Sequence, residues 1–312
     1  MNILLLGSEG FIASHVYDKL KALGHTVVGL DNLEPRVHGD NPTPKRTHII
    51  CDYGQTPYSI LSQADVVINL AAQVSVADSM VNLLRYRDHN STQMYDFINS
   101  LRMVAHNGHK IRRLVVASSS SIYGNVPLPM VEDSPVRPNN VYGLTKFDQE
   151  MLTRMWGQAL GIEAVALRFF NVYGPGAAMH NVHTGVLANF AKMLLRGEQP
   201  TVTEDGRQVR DFIHVEDIAN AIVRAATWHE PLPYDVYNVC TGMATSMASA
   251  TKQLAQAMDL DIEPRITGEY RQGDQQNVLG SSYRTLLLLG KHPTPFREGV
   301  KEYGAWLKTQ IG

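Results

Sequence analysis

The sequence predicts an α/β fold: a doubly wound parallel sheet with helices on both faces, followed by a smaller C-terminal domain. Three observations predict it. Short apolar runs rich in β-branched residues alternate with longer amphipathic stretches through the first half. A glycine-bearing turn directly follows the first run. The regular alternation ends after Phe170.

The runs Ile3-Leu6, Thr26-Leu30, His48-Ile50, Val66-Leu70, Leu114-Ala117 and Ala164-Leu167 read as buried strands, because they are short and continuous rather than alternating. Between them Ile12-Leu23, Leu84-Asn107 and Lys146-Leu160 read as helices. Glu34-Arg46, rich in Pro, Gly and polar residues, reads as a loop in place of a second long helix. Past the break at Gly174-Pro175-Gly176, helices are expected at Val186-Arg196, Val215-Thr227 and Ser246-Met258. The expected division is a nucleotide-binding domain over 1–170, to which 211–240 returns, and a mainly substrate-binding domain over 171–312. Ligands of open α/β sheets bind at the carboxyl ends of the strands, so the site is expected in the cleft between the two.

Composition narrows the function. With 312 residues, 44% of them hydrophobic and 19% charged, the chain has the make-up of an ordinary globular protein. A net charge of −2 argues against wholesale nucleic-acid binding, which requires a basic surplus, while leaving room for a local phosphate site. The N-terminal apolar run is too short for a signal peptide and lacks basic flanking residues, and no stretch reaches the length of a membrane span. Cys51 and Cys240 stand apart without metal-ligand spacing, so both are expected to be structural thiols in a reducing, cytoplasmic setting. No metal site is expected.

Gly7-Ser8-Glu9-Gly10-Phe11-Ile12-Ala13 follows the first strand and opens a helix. Glycine there lets backbone approach a pyrophosphate, which then rests on the positive end of the helix. Asp31 ends the second strand, ~20 residues beyond the loop, where a carboxylate accepts hydrogen bonds from the adenosine ribose and repels a 2′-phosphate. The pair reads as a Rossmann-type site for NAD in preference to NADP. Taken alone, Asp31 has a lesser alternative reading as a helix-cap or turn aspartate. Asp52, past the third strand, is placed either to contact adenine or to close a turn.

Tyr142-Gly143-Leu144-Thr145-Lys146 begins a helix, so Tyr142 and Lys146 share a face. A free tyrosine titrates near ~10, and lowering it to ~7 takes roughly 4 kcal/mol of preferential phenolate stabilisation. A nearby ammonium and the positive nicotinamide ring are suited to supply it. The bland reading of such a pair is a surface helix pair. What precedes it argues otherwise: Ser118-Ser119-Ser120-Ser121-Ile122-Tyr123-Gly124 leaves the end of a long strand, where a hydroxyl can hold a substrate oxygen while Tyr142 takes its proton.

With these motifs the chain resembles the extended short-chain dehydrogenase/reductase family, within it the nucleotide-sugar epimerase/dehydratase group. The resemblance covers nearly the whole chain. It includes Leu70-Ala71-Ala72, Arg168-Phe169-Phe170-Asn171-Val172-Tyr173-Gly174-Pro175-Gly176, Arg210-Asp211-Phe212-Ile213-His214-Val215-Glu216-Asp217 and Arg271-Gln272-Gly273-Asp274. It implies Ser119, Tyr142 and Lys146 as the catalytic set, with Ser119 four residues before Tyr123. The implied NAD-binding set is Gly7, Gly10, Phe11, Ile12, Asp31, Asn32, Asp52, Tyr53, Leu70, Ala71, Ala72, Asn90 and Phe170, together with Tyr142 and Lys146. The implied substrate set adds Ser120, Ser121, Asn171, Val186, Arg210, Arg271 and Asp274 to Ser119 and Tyr142. Asn171, Arg210 and Arg271 would hold a diphosphate, for which guanidinium forks are suited, and Asp274 a ribose.

Within this group, dehydratases place Asp-Glu directly after the catalytic hydroxyl residue, and the decarboxylases place Glu two positions after it. Here Ser120 and Ser121 stand there, and neither is an acid or base for elimination at its ordinary pKa. The simplest remaining cycle is reversible oxidation at C4 of a UDP-sugar, a 4-epimerisation through a 4-keto intermediate. Uncharged Gly176-Ala177-Ala178 leans away from uronates, and Val278, in place of a larger tyrosine, towards an N-acetylated hexose. The chain departs from relatives at Asn69, Val74 and Gly280-Ser281-Ser282, which puts the exact sugar and the tightness of NAD binding in question. The rivals are an NDP-sugar 4-ketoreductase or 4,6-dehydratase and, in a different class, a catalytically idle NAD-binding regulator. The resemblance also implies a homodimer, with Leu84-Asn107 and Lys146-Leu160 pairing across the interface.

Overall fold

A computed structural model describes residues 1–108, 110–177, 185–270 and 273–310. Strand β1 (Asn2–Leu6) leads into helix α1 (Phe11–Ala22), then β2 (Thr26–Asp31), a one-turn helix α2 (Pro35–His38), and β3 (Ile49–Ile50). After the short α3 (Tyr58–Leu61) the chain crosses to β4 (Val66–Asn69), on the other side of β1. Helices α4 (Val76–Val81), α5 (Leu83–Tyr86) and α6 (Gln93–His106) precede β5 (Arg113–Ser119), and α7 (Val141–Leu160) leads to β6 (Glu163–Phe169).

The second half is more interleaved. It runs β7 (Asn171–Tyr173), α8 (Val186–Leu195), β8 (Thr201–Val202), β9 (Val209–His214), α9 (Val215–Thr227) and β10 (Val236–Val239). Then come β11 (Ala244–Ser246), α10 (Met247–Ala257), β12 (Arg265–Ile266), α11 (Tyr283–Leu289) and α12 (Phe296–Lys308).

The large sheet has seven strands in the order β10-β6-β5-β4-β1-β2-β3, and every pairing in it is parallel. Fold and sheet are those of a Rossmann-type doubly wound protein. Alternate residues of β1 show why its run is apolar throughout: Ile3 and Leu5 join a core with α1 and α9, whereas Leu4 and Leu6 join one with α6 and α7. A third core, including Tyr173, Phe190, Phe212, Leu254, Phe296 and Tyr303, gathers α8, α10 and α12 around a small sheet of β11, β9 and β7. Although β9 lies in that small sheet, β10 pairs with β6 in the large one and α9 packs into its core.

Two expectations are refined. Leu84-Asn107 is helical throughout but not uniformly α: α5 runs directly into a π-helical turn over Arg87–Thr92, and that into α6. The cause is Asn90, turned fully inward, which accepts from the Gln73 N–H at 2.7 Å and donates to the Gln73 carbonyl and the Thr145 hydroxyl. A widened turn delivers that side chain to the interior, a common use of π-bulges. Within Glu34-Arg46 the one-turn helix α2 forms, with Pro35 at its first position, where a missing N–H costs nothing.

Candidate active site

Strand order reverses between β1 and β4, and there the carboxyl ends leave a cleft of about 570 Å³. Gly7, Gly10, Asp31, Asn32, Asp52, Tyr53, Leu70, Ala71 and Ala72, all expected from sequence, line it. Gly7 has φ +78°, and a Cβ there would lie 2.8 Å from the Ala71 nitrogen, so glycine is required for the turn to pass over the end of β4. Helix α1 starts beyond Gly10 with no side-chain cap, which leaves its first N–H groups for a ligand.

The Asp31 carboxylate accepts from the Glu9 and Leu33 N–H groups and lies 3.3 Å from His38 Nε2. A carboxylate has about four acceptor sites, so capacity for a ribose hydroxyl remains. Asn32 donates to Asp52 at 2.7 Å and ties the two together. This set fits a dinucleotide with an unphosphorylated ribose.

Two residues expected at the cofactor serve the interior with their polar groups. The Tyr53 hydroxyl donates to the Asn90 carbonyl and accepts from Gln149, and Asn90 spends its amide on Gln73 and Thr145. Phe170 packs with Ile122, Tyr123, Met130, Cys240 and Val278. Phe11 and Ile12 open α1 half-buried.

The chemical centre forms where β5 meets α7. Ser119 ends β5, and its hydroxyl accepts from the Ser121 N–H at 3.1 Å. Asn140 caps α7 through the Gly143 N–H, and Ser79 Oγ accepts from the Tyr142 N–H at 3.0 Å. A Cβ on Gly143 would meet the Ser121 carbonyl at 2.5 Å, so only glycine lets the start of α7 close on the serine turn. The result sets the Ser119 hydroxyl against the Tyr142 side chain. Enclosure pushes the Tyr142 phenol above its ordinary range, and the Ser119 hydroxyl opposes that. Burial pushes the Lys146 amine down to about 7, with Glu150 acting to raise it. Of the groups acting on the phenol, Ser119 favours the phenolate, and burial outweighs it.

Beneath the site runs a buried network that sequence reasoning missed. Glu150 accepts from Ser118 at 2.6 Å and from Arg168 at 2.7 and 3.1 Å, and Arg168 also donates to the Tyr123 hydroxyl and the Glu132 carbonyl. It clamps β5, β6 and α7 directly under Ser119. The signal available was Glu150, one turn after Lys146, and Arg168 inside an otherwise apolar strand.

On the opposite side of the cleft, Arg210 is directed at the carbonyls of Val209, Gln275 and Gln276. Burial lowers the pKa of its guanidinium, opposed by Asp274 and Glu204. Gln275 reaches back to the Ser120 and Gly124 carbonyls, joining the segment that carries Asp274 to the serine turn. Asn171 and Val186 are half-buried at the starts of β7 and α8. Ser120 and Ser121 are buried in the turn. Arg271 lies outside the described residues.

An NAD-type cleft abutting a Ser-Tyr-Lys centre defines a dehydrogenase-like class, and comparison with known proteins agrees. The chain belongs to the NAD dependent epimerase/dehydratase family, which matches residues 3–240. A dTDP-L-rhamnose 4-epimerase of Burkholderia thailandensis is 27% identical over 99% of this chain and 95% of its own. The UDP-glucose 4-epimerase of Thermotoga maritima, solved with UDP-glucose, superposes with a TM-score of 0.87 at 27% identity, covering 100% of both chains. That of Thermus thermophilus, solved with NAD, gives 0.84 at 27% identity over 98% of this chain and 99% of the other.

Proposed function

We propose that the chain catalyses NAD-dependent epimerisation at C4 of a nucleotide sugar, a UDP-hexose or UDP-N-acetylhexosamine. The observation that carries this reading is the pairing of Ser119, at the end of β5, with Tyr142, at the start of α7, with buried serines and no carboxylate at positions 120 and 121. Ser119 orients the sugar 4-hydroxyl, and Tyr142 takes its proton. NAD, held by the Gly7–Gly10 turn and Asp31, would supply the acceptor and donor for the C4 hydride. Lys146 steadies the phenolate while the keto sugar turns in the cleft, and Tyr142 then returns the proton. No second acid stands beside Ser119 to drive elimination.

Around this centre the Gly7–Gly10 turn, Asp31, Asn32, Asp52 and Leu70–Ala72 hold the cofactor, and Asn171, Val186, Arg210, Arg271 and Asp274 the nucleotide sugar. Residues 1–170 with 211–240 then form the cofactor unit and 171–312 mainly the substrate unit; the β10–β6 pairing supports this. A homodimer through α6 and α7 belongs to the same reading, supported by exposed Tyr95 and Met103 on α6 and Met155 on α7. So does a cytoplasmic setting. Among the described residues no helix is long and apolar enough to cross a membrane.

The test is to incubate purified protein with UDP-glucose, UDP-galactose and their N-acetyl forms without added NADH. Interconversion of 4-epimers is expected; accumulation of a 4-keto-6-deoxy sugar would replace this reading with a dehydratase.

A further inference from the structure

Lys146 Nζ donates to Gln149 Oε1 at 2.6 Å, Gln149 Nε2 donates to the Tyr53 hydroxyl at 3.0 Å, and that hydroxyl donates to the Asn90 carbonyl at 2.9 Å. Lys146, Gln149 and Tyr53 are 3%, 1% and 5% exposed, so water does not compete for these bonds. The chain has one direction only. An ammonium donates and cannot accept, which turns the Gln149 oxygen towards it and the amide nitrogen towards Tyr53. Tyr53 accepts from that nitrogen and has its own proton left for Asn90. Asn90 is in turn fixed by Gln73 and Thr145. Three elements beyond α7 thus orient one amide dipole.

We propose that Gln149 is a positioning residue for Lys146: its oxygen, aimed by Tyr53 and Asn90, holds the buried amine in place and in its ammonium form one helical turn after Tyr142. The inference rests on the reading of Lys146 as the partner of Tyr142.

The surrounding charges leave this task to the amide. Glu150, on the same helix, acts on Lys146 through space, but its carboxylate is bonded by Arg168 and Ser118. Asp52, Asp96 and Asp148 act on Tyr53, from the turn before it, α6 and α7. Tyr86 of α5 packs edge-on to Tyr142, and Asp78 of α4 acts on Tyr86. Ser119 of β5 acts on Tyr142 itself. Burial pushes Lys146 down to about 7, so losing a hydrogen bond to its charged form lowers it further.

Gln149→Met keeps the length and removes both polar atoms; Gln149→Glu keeps the acceptor. If ammonium loss sets the alkaline limb of the kcat/KM profile, Gln149→Met moves that limb down by about one pH unit, and Gln149→Glu restores or raises it. A second readout needs no turnover. In the apoprotein the gap in Tm between wild type and Gln149→Met is largest below pH 7, where the amine is charged, and shrinks as pH rises through its titration. A gap that does not change with pH, with an unmoved alkaline limb, means packing alone and overturns the proposal. Should the wild type epimerise no sugar, the functional reading fails while the thermal measurement still decides the role of Gln149. Should Gln149→Met not fold, Tyr53→Phe releases the amide and is expected to give a smaller shift in the same direction; no shift there overturns the proposal equally.

Discussion

The Ser119 hydroxyl, at the end of β5, acts on the Tyr142 phenol, at the start of α7, to hold its pKa down against burial. A hydroxyl beside the phenol favours the phenolate, and the same hydroxyl accepts from the Ser121 N–H. Tyr142→Phe is expected to lower turnover by roughly 10²–10⁴-fold, the range for a lost general base, while NAD stays bound. Ser119→Ala removes one charge-assisted hydrogen bond of ~1.5–3 kcal/mol, which corresponds to roughly a tenfold to hundredfold loss. Steady-state rates and the nucleotide released on denaturation check both. An active Tyr142→Phe protein would refute the assignment of the base.

Gly7 occupies a conformation and a space that only glycine fits. Gly7→Ala is expected to cost ~1–2 kcal/mol from the positive φ alone, with a further loss from the approach to Ala71. NAD affinity should fall with it, because the turn must move away from β4. Thermal unfolding with and without NAD, together with a binding titration, measures both effects.

The parts legible in the sequence were those written in local patterns. Strand runs such as Ile3-Leu6 are apolar because both faces of the sheet are covered, and Gly7 with Asp31 marks the first strand-turn-helix unit directly. The π-helical turn within Leu84-Asn107 was not legible, because it answers a tertiary demand: Asn90 must reach Gln73 and Thr145. Strand β10 was hidden for a related reason. Asn238 interrupts its apolar run, and that side chain is buried on the Tyr123 hydroxyl and the Met130 carbonyl. Tyr142 and Lys146 were visible as a spacing; the resting partner of Lys146, Gln149, came only from coordinates. The Glu150–Arg168 pair was equally out of reach, since a lone charge in a strand does not name its partner.

That pair supports a stability prediction. Glu150→Ala leaves Arg168, 3% exposed, without its counter-charge, and is expected to destabilise by ~3–5 kcal/mol. Replacing both residues with methionine should cost less than the sum of the single changes, because no charge is then stranded. Chemical denaturation of the two single variants and the double variant closes the cycle.

Lys146 gives the apoprotein a defined pH signature. Its folded pKa, about 7, lies below its ordinary value of 10.5. Below pH 7 the amine is charged in both states, and burial of the charge costs its full amount. Between about 7 and 10.5 the unfolded chain holds a proton that the folded chain has released, so stability contributed at this site rises with pH. Lys146→Met is therefore expected to stabilise the apoprotein most below pH 7, with the advantage shrinking towards pH 10. Paired Tm measurements across that window check it, and a constant difference would contradict it.

The central claim is that hydride leaves and returns to the same carbon. The most direct measurement is turnover of UDP-glucose, or its N-acetyl form, carrying deuterium at C4. The account predicts a C4 epimer that retains the deuterium at C4, with none lost to water. Deuterium found at C6 of a 4-keto-6-deoxy product would contradict it.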